Sequence, residues 1–92
     1  MKSIIQSKKE CFFCKNISWL EEHHVFGGAN RKLSEKYGLK VYLCHCHHNE
    51  PPLGVHHNAI NMGIIKRAAQ QVFEQTHSRK EFISIFGKNY LD

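Results

Sequence analysis

Residues 11–48 read CFFCKNISWLEEHHVFGGANRKLSEKYGLKVYLCHCHH, and the spacing of cysteine and histidine within them decides the fold. Cys11 and Cys14 frame a tight knuckle, in which two intervening residues let the chain reverse and present both thiolates to one ion. A tetrahedral site needs a second pair of ligands from elsewhere in the chain. Cys44 opens that pair, and its mate lies in Cys44-His45-Cys46-His47-His48. On a continuing strand Cys44 and Cys46 would point to opposite faces. Cys44-x2-His47 instead repeats the spacing of the first knuckle. The spacing favours a structural zinc (Zn²⁺) held by Cys11, Cys14, Cys44 and His47, with Cys46 as the alternative fourth ligand.

Working outward, a chain of 92 residues is in the range where a hydrophobic core alone gives marginal stability. Such chains usually add a staple, and four cysteines with eight histidines make a metal the obvious one. No stretch approaches the roughly 18 apolar residues of a membrane span, so no membrane partner is expected. The run MKSIIQSKKE has no apolar core of signal-peptide length. A cytoplasmic location follows as the expectation, and there thiols stay reduced and clustered cysteines more often hold metal. Thirteen Lys and Arg against eight Asp and Glu leave a formal charge of +5, which favours polyanions and nucleic acid above all.

No repeat or low-complexity tract divides the chain, which reads as one domain over residues 1–92. A Cys/His-rich part covers 1–57 and a helical part 58–92. WLEEHHVF, residues 19–26, ends at Gly27-Gly28 and reads as a strand. ANRKLSEKYG, residues 29–38, predicts a short helical turn that Asn30 or Ser34 can cap and Gly38 stops. LKVYLC, residues 39–44, is the second strand. Pro51-Pro52 and Gly54 mark a loop. Ile64, Ala68 and Val72, together with Ile65, Ala69 and Phe73, predict one apolar stripe on a helix over 58–76, with Asn58 as N-cap. Ser78-Arg79-Lys80-Glu81 has capping-box spacing for a second helix carrying Phe82, Ile83, Ile85 and Phe86 to Gly87. These stripes read as core.

Further histidines remain: His23-His24 in the first strand, and His48, His56 and His57 after the second knuckle. Adjacent strand residues diverge, so His23 and His24 suit two different jobs better than shared ligation of one ion. One can hold a metal while the other activates water, since a neutral imidazole is a competent base near neutral pH. A metal beside it can polarise a phosphate oxygen.

Taken as a set, Cys11-x2-Cys14, Leu20-Glu21-Glu22-His23-His24-Val25 and Leu43-Cys44-x2-His47-His48 resemble the zinc-stapled HNH endonucleases of the ββα-metal fold. The chain is most similar to small phage and prophage HNH-like proteins, in HHVFGGANRKLSEKYGL, GVH and FGKNYL, from Cys11 to Leu91. A fainter likeness is to the RecA-dependent nucleases of phage. The resemblance implies an α+β fold, a small zinc-stapled ββα-metal (HNH or His-Me finger) core with a C-terminal helical pair, in the cytoplasm of a bacterial host cell. It implies DNA as partner, and metal-dependent hydrolysis of phosphodiester bonds by an endonuclease or nickase, leaving a 3′-hydroxyl and a 5′-phosphate. Carried onto this sequence, it makes His24 the general base and His23, His48 and His56 the ligands of the catalytic metal. That metal is Mg²⁺ or Mn²⁺, with Zn²⁺ or Ni²⁺ also suited to an all-histidine set. Arg31, Lys32, Lys36, Lys66 and Arg67 are candidates for phosphate contacts, which give affinity without sequence preference. Where the family carries its central Asn, this chain reads Gly38-Leu39-Lys40, and a Pro-Pro loop separates His48 from His56. A zinc-stabilised DNA-binding module without nuclease activity is the alternative, and a protein–protein adaptor on the same scaffold the third possibility.

Overall fold

The computed structural model describes residues 1–92 as an α+β chain of helices built on one two-stranded antiparallel sheet. Strand β1, Leu20–His24, pairs with β2, Lys40–Cys44, setting Leu20 opposite Cys44, Glu21 opposite Leu43, His23 opposite Val41 and His24 opposite Lys40. Opposed residues share a face, so Glu21 and His23 lie with Val41 and Leu43, while Glu22 and His24 lie with Tyr42 and Lys40.

β1 is shorter than WLEEHHVF predicts. Trp19 has a φ of 55°, in the left-handed region, which takes it out of the strand. Beyond His24 only Val25 continues the pairing, its N–H donating to the Leu39 carbonyl at 3.0 Å. Phe26 is drawn into the core, 4.7 Å from the Phe86 ring, because burying a phenyl ring is worth about 2–3 kcal/mol.

A 3₁₀ turn at Gly28–Asn30 leads into α1, Arg31–Lys36, and the chain reverses at Gly38 with φ of 69°. A Cβ at Gly38 would collide with the Lys2 backbone carbonyl oxygen, so glycine is required there for space as well as for φ. Neither residue predicted to cap α1 does so with its side chain. Asn30 reaches the Phe86 carbonyl instead. Ser34 is fully buried within α1, where its hydroxyl donates to the Leu39 carbonyl and accepts the Phe26 N–H. Tertiary ties, to the end of the last helix for Asn30 and to residues flanking the strands for Ser34, have displaced local capping.

β2 turns at once into α2, His45–Asn49, a five-residue helix that the sequence pattern does not predict. The following loop folds back on it: Gly54 N–H donates to the Glu50 carbonyl, Val55 N–H to His47 at 2.8 Å and His56 N–H to His48 at 3.3 Å. A Cβ at Gly54 would sit 2.6 Å from the Glu50 backbone nitrogen, so this return requires glycine.

Helix α3, Ala59–Phe73, is capped by Asn58, whose side-chain oxygen accepts the Asn61 N–H at 2.9 Å. It stops at Phe73 rather than near residue 76, where the chain turns so that His77 stacks on Phe73 at 4.2 Å. Its buried stripe is Ile65, Ala69 and Phe73; Ile64, from the other predicted series, is 36% exposed. Helix α4, Arg79–Phe86, has the predicted capping box between Ser78 and Glu81 and ends at Gly87 in the left-handed conformation. It buries Phe82 and Phe86 and leaves Ile83 outside. One apolar cluster joins Leu39, Val41 and Leu43 of the sheet segment to the buried residues of α3 and α4. No helix is long and apolar enough to cross a membrane.

Candidate metal centres and the cleft beside them

The Cys11–Cys14 knuckle is closed by the Lys15 N–H on the Cys11 carbonyl at 3.0 Å and the Cys11 N–H on the Asn16 carbonyl at 2.8 Å. Phe12 N–H donates to the Tyr42 carbonyl at 2.8 Å, which docks the knuckle on β2 near Cys44. Cys14 Sγ then lies 3.7 Å from Cys44 Sγ, while His47 Nδ1 lies 3.1 Å from Cys44 Sγ and 3.8 Å from Cys11 Sγ. All four donor atoms fall within 4.8 Å of one another.

Every cysteine is free, and Cys46 is exposed and outside the group. α2 is the reason. In a helical turn residues three apart share a face, which brings His47 back toward Cys44 and turns Cys46 to solvent. Three thiols and an imidazole in this cluster can hold a metal ion such as zinc. Burial pushes the Cys44 thiol up to about 11, with hydrogen bonds to Cys14 and Cys11 adding to it against the His47 backbone. Burial acts upward on Cys11 too, but backbone hydrogen bonds involving Cys14, Cys44 and Phe13 outweigh it and bring that thiol below its ordinary value.

His48, the next residue of α2, points the other way, toward β1. Its ring centroid lies 5.1 Å from that of His23 and 4.9 Å from that of His56, with His23 and His56 5.3 Å apart. The Nε2 atoms of His48 and His56 are 3.2 Å apart, and the three residues bring one ring nitrogen each within 4.8 Å of the others. His23 Nε2 is buried without a hydrogen-bond partner. An orphaned polar atom of this kind costs about 1–3 kcal/mol. Burial pushes the His23 pKa down to about 4, and the neighbouring His48, His56 and His24 add to the effect. Burial and then His48 lower His56 as well. His23 is therefore a neutral imidazole near neutral pH, the form that donates a lone pair.

Two carboxylates tether this region. Glu21 Oε1 lies 2.7 Å from His48 Nδ1 and Glu21 Oε2 3.3 Å from His45 Nδ1. The His48 bond is the main cause that holds the Glu21 carboxyl below its ordinary value. On the other face of β1, Glu35 Oε1 lies 2.8 Å from His24 Nε2, and Lys40 Nζ donates to both Glu35 oxygens at 3.1 and 3.2 Å. With Lys40 already on the carboxylate, the His24 bond is best made by an Nε2–H donor. That tautomer leaves Nδ1 with its lone pair free.

A cleft of about 520 Å³ runs beside β1, lined by the three clustered imidazoles, His24, Arg31 and Lys66 among others. Of the five predicted phosphate-contacting cations, Arg31 and Lys66 line it. Lys32, Lys36 and Arg67 lie outside its walls, and Lys36 sits over the Tyr37 ring at 5.4 Å. The structure thus gathers the two predicted ligand sets, and sequence reasoning passed over Glu21, Glu35 and Lys40. Glu21 had one usable signal, its position two residues before His23 on the same strand face. Glu35 had none, since α1 meets β1 only in the fold.

Fold and site together define a small α+β chain with a Cys₃His group able to hold a metal. Set against protein-family models, curated proteins and solved structures, the chain matches none.

Proposed function

We propose that this chain is a metal-dependent HNH-type endonuclease or nickase that hydrolyses DNA phosphodiester bonds on a ββα-metal core of β1, β2 and α2. One observation carries the reading: His23 Nε2 is buried and partnerless among three converging imidazoles. A buried lone pair without a donor is an unexplained cost in a simple scaffold, and a cation accepting it removes that cost. In this reading Cys11, Cys14, Cys44 and His47 hold a structural zinc, and His23, His48 and His56 hold a second divalent ion. Mg²⁺ or Mn²⁺ would be usual for the reaction, while three nitrogen donors also suit Zn²⁺ or Ni²⁺. Such an ion, when bound, supplies Lewis-acid stabilisation of the negative charge that grows on the phosphate and the departing 3′-oxygen.

The chain's own residues do the rest. His24 uses its free Nδ1 lone pair to take a proton from the attacking water as the new P–O bond forms and the bond to the 3′-oxygen breaks, and the departing 3′-oxygen takes a proton from solvent water to leave as the 3′-hydroxyl. Glu35 holds the opposite ring nitrogen, so the acceptor faces away from it. Arg31 and Lys66 at the cleft bring positive charge to the phosphates and give affinity that weakens with salt.

Plasmid nicking with Mg²⁺, Mn²⁺, Ni²⁺ or Zn²⁺ tests this, comparing the natural protein with His24→Ala. Loss of the base should slow nicking by about 10²–10⁴-fold. Unchanged nicking in His24→Ala would remove that residue from the mechanism. Salt-sensitive DNA binding with no nicking under any metal would establish the second reading, a zinc-stabilised DNA-binding module. Lys40 is the observation that favours that reading, since it and its neighbours stand where the HNH family carries Asn.

A further inference from the structure

We propose that Glu21 is the positioning residue of the three-imidazole site: its carboxylate accepts the Nδ1–H of His48 and turns His48 Nε2 toward the ion. The inference rests on the metal-site reading above, and it concerns a residue outside the ligand set.

β1 supplies both parts. Residues two apart on a strand share a face, so Glu21 and His23 project to the same side, His23 as ligand and Glu21 as tether. The Glu21–His48 contact is 2.7 Å, against 3.3 Å to the competing His45, so His48 has the better bond. His48 needs it. The helix that carries His48 is five residues long with no side-chain cap, and its backbone tie to the return loop, His56 N–H on the His48 carbonyl, is 3.3 Å. Nothing in that frame sets the ring's rotation or its tautomer.

A free imidazole has two flipped orientations and two neutral tautomers, and few of these combinations aim a lone pair at the cluster. A carboxylate on Nδ1–H selects the one that puts the acceptor nitrogen 3.2 Å from His56 Nε2. Charge works in the same direction. Three neutral imidazoles leave a divalent ion uncompensated, and Lys66 adds positive charge to the same cleft. Glu21 is the carboxylate in hydrogen-bond contact with a member of the cluster, and it strengthens that ring as a donor.

The test uses the full chain carrying one equivalent of zinc, with Ni²⁺ titrated by calorimetry. The natural protein should take up one Ni²⁺. Glu21→Gln and Glu21→Ala should bind it about 10–100-fold more weakly, while His45→Ala should match the natural protein. A second measurement needs no metal at the imidazoles. Long-range ¹H–¹⁵N correlation should show His48 as the Nδ1–H tautomer in the natural protein and as a mixture in Glu21→Ala.

Equal Ni²⁺ affinity in all proteins, or an unchanged His48 tautomer in Glu21→Ala, would overturn the role of Glu21 alone. Zinc loss or a lowered unfolding midpoint in both Glu21 variants would mark the residue as structural and also overturn it. A natural protein that takes up no Ni²⁺ beyond its zinc would overturn the metal-site reading, and the inference with it.

Discussion

Consider His23→Leu in the protein with zinc at the Cys₃His group and no ion at the imidazoles. In the unfolded chain His23 titrates near 6.5, whereas in the fold it is pushed down to about 4. As pH falls, the unfolded chain therefore takes up this proton first. The stability His23 allows is complete above about pH 6.5 and is lost as pH falls toward about 4. At about 1.4 kcal/mol per pKa unit the whole effect is about 3 kcal/mol, and roughly 2 kcal/mol of it should be gone by about pH 5. Leucine fills a similar volume, carries no orphaned nitrogen and cannot titrate. Urea unfolding near pH 7.5 and near pH 5 measures the loss in each protein, and zinc release, common to both, cancels in the difference. The natural protein should lose about 2 kcal/mol more than His23→Leu over that interval. Equal losses would show that His23 is solvated or already partnered, and would refute the burial argument.

His47→Ala should release the zinc, counted by metal analysis of the purified protein, and abolish cooperative unfolding, because structural zinc contributes on the order of 10 kcal/mol in small domains. Cys46→Ser should keep both zinc and cooperativity; the reverse pattern would exchange the two residues in the ligand set. Gly54→Ala places a Cβ 2.6 and 2.8 Å from Glu50 backbone atoms, so it should lower the unfolding midpoint and weaken Ni²⁺ uptake by displacing His56. Glu35→Gln should slow nicking by up to about 100-fold through a misplaced base, with DNA retention unchanged in a filter assay; a parallel loss of DNA binding would place Glu35 in the substrate surface instead.

Much of this architecture is legible in the residue order because it is local. Asn58 and Ser78 cap their helices and Gly87 ends one of them, each for reasons contained within four residues. The Cys-x2-Cys and Cys-x2-His spacings are likewise local geometry. What escapes is set by contacts between distant segments. α2 has no periodicity to reveal it in HCHHN, and its helical turn takes shape together with the return loop that bonds to its carbonyls. Ser34 has the chemistry of a cap, yet burial against Leu39 and Phe26 uses its hydroxyl elsewhere. Ile64 and Ile65 are equivalent by composition, and the side on which α3 meets the apolar cluster decides which is buried. Glu35 and Lys40 meet His24 only because the strand register and α1 bring them there.

α2 gives consecutive residues to two different centres, His47 to the cysteines and His48 to the imidazoles. A helix of five residues is far too short to hold itself together in water. On the proposed two-ion reading, an ion at one centre meets part of the ordering cost at the other, and linkage makes the effect reciprocal: the factor by which zinc would tighten the second ion is the factor by which the second ion would tighten zinc. The two centres should load as a coupled pair, with the imidazoles taking up Ni²⁺ less tightly when the Cys₃His group lacks zinc than when it is loaded. On the proposed reading, loss of zinc would weaken ion uptake at the imidazoles without touching any residue that lines the cleft.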